Sequence, residues 1–151
     1  MELEITIDVD DLDRAVDFYC GGLGLTLVER NPEWARVELN GQIFWLCRFA
    51  AGPHGNADRD FRRHWTPIHL DFIVDDVDKA VDRALAAGGR LDGEIRRKQP
   101  EPIGCRSDVA NLSDPAGNGV DLLNGSSSGT PANKALQLTG QSAFQPTSGR
   151  V

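Results

Sequence analysis

The chain has no run of apolar residues long enough to cross a bilayer, which excludes a helical membrane span. Cysteine is scarce. Cys20, Cys47 and Cys105 are odd in number and widely spaced and form no CxxC pair, which argues against a disulfide framework or a structural zinc site and for a reducing compartment. Positive charge is also in deficit, with 16 Lys and Arg against 23 Asp and Glu and a net charge of −7. Nucleic-acid binding needs clustered cations to displace phosphate counterions. Arg62-Arg63 and Arg96-Arg97-Lys98 are short clusters amid acids and read as solvated surface. The opening MELEITIDVDD lacks the basic-then-apolar order of a secretory signal. The expectation is a cytoplasmic protein with neither nucleic acid nor membrane as a partner.

From Ser126 to Val151 the sequence contains no acid and no apolar periodicity, and Ser, Thr, Gly, Pro and Gln dominate it. Such a segment buries too little apolar surface to offset its ordering entropy, so a disordered tail is expected after a folded domain of residues 1–125.

Within that domain the chain repeats itself. VDDLDRAVDFY at 9–19 returns as VDDVDKAVDRA at 74–84, an offset of 65 residues. The same offset pairs Leu3, Ile5, Ile7 and Val9 with Ile68, Leu70, Phe72 and Val74, two alternating series that read as half-buried strands. Each strand runs into a helix. Asp10 or Asp11, and Asp75 or Asp76, supply N-cap oxygens, and apolar stripes such as Leu12, Ala15, Val16 and Tyr19 face a sheet. Three strand candidates follow each helix: 25–30, 34–39 and 43–48, then 90–95, 105–112 and 120–123. Asn40-Gly41 suits a type I′ hairpin turn, and Asp92-Gly93 marks a bulge or a turn. The fold class is therefore α+β, two tandem βαβββ units at 1–49 and 66–125 joined by a polar, glycine-rich crossover at 50–65.

A strand sends alternate side chains to opposite faces. With the apolar set on the helix side, Glu4, Thr6 and Asp8 share the other face in the first unit, and His69, Asp71 and Ile73 do so in the second. On the final strand of each unit the same parity exposes Trp45 and Asp121, with Cys47 on the side of Trp45; it does not bring Arg36 or Arg48 to that side.

These segments resemble the vicinal oxygen chelate superfamily, which includes glyoxalase I, bleomycin-resistance proteins, fosfomycin-resistance transferases and extradiol dioxygenases. The resemblance rests on VDDLDRAVDFYCGGLGL, HLDFIVDDVDKAVDRALAAGG and DPAGNGVDLL. It implies mixed sheets curled around a concave site, with metal ligands from the first and last strands of each unit. Those positions correspond here to Glu4, Trp45, His69 and Asp121. An indole offers no lone pair to a metal, so the resemblance implies Glu4, His69 and Asp121 as ligands of Mn²⁺, Fe²⁺ or Zn²⁺. It also implies Asp121 as a catalytic base, with Trp45, Thr6, Asp71 and Cys47 on the substrate side and a homodimer as the assembly. One histidine and two carboxylates match none of the named activities, so lyase, isomerase, transferase and dioxygenase chemistry on vicinal oxygens all stay open. The alternative is a metal-free binding or sequestration protein of the bleomycin-resistance type, in which Trp45 is a stacking wall.

Overall fold

Alternation of Ile5, Ile7 and Val9 with polar residues gives β1 (Glu4–Val9), whose helix-side positions Ile7 and Val9 are buried. Two residues past the strand, Asp11 caps α1 (Leu12–Val16), its carboxylate accepting the Arg14 amide at 3.1 Å. The helix widens into a π-helical segment over Asp17–Gly22, where the Leu23 amide reaches back to the Phe18 carbonyl. β2 (Thr26–Arg30), β3 (Trp34–Leu39) and β4 (Gln42–Arg48) complete the first unit. Asn40 and Gly41 both take positive φ, 51° and 86°, as a type I′ turn requires. The sheet order is β1-β4-β3-β2, with β1 parallel to β4 and the other pairs antiparallel.

The second unit repeats this plan. β7 (Leu70–Val74) leads through the Asp76 cap into α2 (Val77–Ala86), followed by β8 (Arg90–Leu91), β9 (Val109–Ser113) and β10 (Gly119–Asn124), in the order β7-β10-β9-β8. Both are mixed sheets, as the resemblance implied, and neither closes on itself. In this computed structural model the described residues are 2–54, 57–63, 68–98 and 107–124. The expected tail at 126–151 and the start of the 105–112 strand lie outside them.

Two local expectations are revised. The 90–95 strand stops at Leu91, because Gly93 at φ 87° turns the chain before one isolated bridge re-forms between Arg96 and Val109. The crossover holds a hairpin, β5 (Gly52–His54) against β6 (Ala57–Arg59).

One apolar core joins the units. Val9, Phe18, Tyr19, Val37 and Leu46 from the first, with Leu112, Val120 and Leu122 from the second, are fully buried. Burial of a large apolar side chain stabilises by about 1.5–3 kcal/mol. The turn after β9 fastens the join. Tyr19 Oη donates to Asp114 Oδ2 at 3.0 Å, and Asn118 Nδ2 donates to the Asp8 carbonyl at 3.2 Å.

Candidate functional site

Register decides which side chains meet on the faces opposite the helices. In the first sheet Thr6 pairs with Trp45, and Trp45 with Arg36. In the second, Asp71 pairs with Asp121, and Asp121 with Asn111. Thr6 and Asp71 are repeat mates, so Trp45 and Asp121 occupy equivalent positions of the two units. The register also corrects the parity reading of Arg36: it stands directly across from Trp45 on the same face, its guanidinium carbon 6.0 Å from the ring centroid.

The two rungs differ in chemistry. In the first unit the Trp45 indole N–H donates to Glu4 Oε2 at 2.9 Å, and Trp34 meets Trp45 edge to face at 5.0 Å. Asp8 accepts from Arg59 Nε at 2.7 Å, and that guanidinium lies 3.9 Å from the Phe49 centroid. The Cys47 thiol is pushed above its ordinary value by burial and then by the charge of Asp8, so it stays protonated at neutral pH.

In the second unit His69 Nε2 lies 3.2 Å from Asp71 Oδ1 and 3.6 Å from Asp121 Oδ2. The other Asp121 oxygen accepts from Asn111 Nδ2 at 2.6 Å. One ligand atom each from His69, Asp71 and Asp121 falls within 4.8 Å of the others, the one such set of three or more His, Cys, Asp or Glu among the described residues. Donors about 2.0–2.2 Å from a first-row ion stand roughly 3–3.5 Å apart. The two His69 separations, 3.2 and 3.6 Å, and a donor set of one imidazole and two carboxylates therefore suit a divalent ion such as Mn²⁺, Fe²⁺ or Zn²⁺. Of the three expected ligands, His69 and Asp121 meet; Glu4 stands outside the set, held by Trp45. Asp71 joins it, which parity alone had placed beside His69. Asn111 was missed, because its face depends on the β9–β10 register.

A cleft of about 480 Å³ opens between β1 and β7, lined among others by Thr6, Asp8, Tyr19, Ile68, His69 and Asn118. It joins the first unit's open face to the histidine of the second. A larger polar concavity of about 650 Å³ at the start of α1, with Asp10, Asp13, Arg30 and Arg48, shares none of these residues.

Comparison with known proteins agrees with this architecture. Residues 4–123 match the family described as Glyoxalase-like domain. A lactoylglutathione lyase from Agrobacterium tumefaciens is similar in structure at 26% identity and a TM-score of 0.55, over 86% of this chain and 97% of that one. The fosfomycin resistance protein FosX from Listeria monocytogenes gives 18% identity and a TM-score of 0.62 over 83% and 93%. A glyoxalase/bleomycin resistance protein/dioxygenase from Alicyclobacillus acidocaldarius gives 22% and 0.58 over 82% and 90%. A search of curated protein sequences found no match. With its family match spanning both βαβββ units, the chain belongs to the glyoxalase-like domain family within the vicinal oxygen chelate superfamily.

Proposed function

We propose that this protein carries out metal-assisted chemistry on a small molecule that presents vicinal oxygens. The observation that supports the reading is the convergence of His69, Asp71 and Asp121 on the open face of the second sheet, beside the β1–β7 cleft. A divalent ion bound there would polarise substrate oxygens and stabilise negative charge developing on them. His69 and Asp121 would hold it. Asp121 is also our candidate base, its Oδ2 being able to leave the ion and take a substrate proton. Thr6 offers a hydroxyl to a substrate oxygen in the cleft, Trp45 a flat apolar wall, and Cys47 a neutral contact on the same face. We assign the protein to the cytoplasm and to a homodimer, in which a second copy covers exposed edges such as β2.

The reading is tested by offering the protein Mn²⁺, Fe²⁺ or Zn²⁺ with α-ketoaldehydes, epoxides and catechols. Turnover of one class is expected, falling about 10²–10⁴-fold in Asp121→Ala, the range for losing a positioned acid or base, and abolished in His69→Ala.

A second reading is metal-free binding, favoured by the Trp34–Trp45 corner beside Arg36 and by the engagement of Glu4 with the indole. Ligand binding that quenches tryptophan fluorescence equally with and without chelator, and no turnover, would select it.

A further inference from the structure

We infer that the metal seat lies wholly in the second unit, with Asp71 as third ligand in place of Glu4 and Asn111 as the residue that positions Asp121; this rests on the metal-assisted reading. Two side-chain arrangements carry it. Glu4 is already committed: Trp45, at the position equivalent to Asp121, turns its N–H onto that carboxylate at 2.9 Å. Asp71 follows His69 by two residues, at the start of β7, with Oδ1 3.2 Å from the imidazole nitrogen. Residues two apart at the entry of β7 can thus both reach one ion.

Asn111 sets the orientation of the second carboxylate. Arg96 Nη2 donates to Asn111 Oδ1 at 3.1 Å, which turns the amide so that Nδ2 faces Asp121. That N–H takes Asp121 Oδ1 at 2.6 Å and leaves Oδ2 toward His69. Asp121 is thereby presented with one free oxygen, aimed where His69 and Asp71 converge. Residues that orient a metal ligand in this way are worth about 10–100-fold in metal affinity.

The test is Mn²⁺ affinity of the full chain, by calorimetry and by the electron paramagnetic resonance of free Mn²⁺, for wild type, Asp71→Asn, Glu4→Gln and Asn111→Ala. Thermal melts of the metal-free proteins report folding. Asp71→Asn is expected to weaken binding about 100-fold and Asn111→Ala about 10-fold with unchanged metal-free melting, while Glu4→Gln stays within about threefold. Equal losses in Glu4→Gln and Asp71→Asn, or a loss in Glu4→Gln alone, would overturn the assignment of Asp71. Undiminished affinity in Asn111→Ala would overturn its positioning role. Wild type that binds no Mn²⁺ would remove the metal-assisted reading itself, and the inference with it.

Discussion

Asp114 is fully buried, yet its carboxylate accepts four hydrogen bonds, from the amides of Ala116 and Asn118 at 2.9 and 2.8 Å, from Asn118 Nδ2 at 2.9 Å and from Tyr19 Oη at 3.0 Å. Burial still outweighs these bonds and holds its pKa above the ordinary 3.8, while burial and the adjacent Asp114 charge raise Tyr19. A raised folded value means that the folded state retains the proton longer than the unfolded one. The stability linked to that proton is present in full below pH 3.8 and is lost as pH rises through the folded value. Asp114→Asn should cost about 1–3 kcal/mol, since its amide opposes that of Asn118. Its penalty relative to wild type should shrink as pH rises through that window, as urea melts at a series of pH values would show. A penalty that grows with pH would mean that the hydrogen bonds outweigh burial.

At the scale of elements, the two helices meet where the repeat brings equivalent residues together. A Cβ on Gly22 would come within 3.0 Å of the Ala87 Cβ, its repeat mate, and one on Gly89 within 2.5 Å of Phe18 Cε2. Phe18 is fully buried and has no room to retreat. Gly89→Ala should therefore destabilise by about 1–3 kcal/mol, measured by thermal or denaturant melts. Much of this level was legible in the sequence. The Asp11 and Asp76 caps, the strand parities and the Asn40-Gly41 turn are local chemistry, and local chemistry reads directly from residue order. The π-helical turn, the 52–59 hairpin and the side of Arg36 were not. The first two carry no apolar periodicity of their own in the residue order, and the side of Arg36 is set by its pairing register with β4 across the Asn40-Gly41 turn. Likewise, parity put Glu4 and Trp45 on one face, but the rotamer that joins them is a packing outcome.

At the scale of the molecule, a duplicated fold carries unlike halves. The unit-one rung Thr6–Trp45–Arg36 offers a hydroxyl, an aromatic face and a cation; the unit-two rung Asp71–Asp121–Asn111, with His69 beside it, offers two carboxylates, an imidazole and an amide bonded to one of the carboxylates. The Tyr19–Asp114 and Asn118–Asp8 bonds hold the units together beside the cleft that both line. The proposed function divides the labour accordingly: one half would contact the organic part of a ligand, and the other would hold the ion. The family identity constrains the fold and leaves the reaction to these side chains.

The most direct test of that division is anomalous diffraction from crystals soaked in Mn²⁺. One ion is expected, bound by His69 Nε2, Asp71 and Asp121 Oδ2, with Glu4 still accepting the Trp45 N–H. An ion coordinated by Glu4, or no ion near His69 at saturating Mn²⁺, would contradict it.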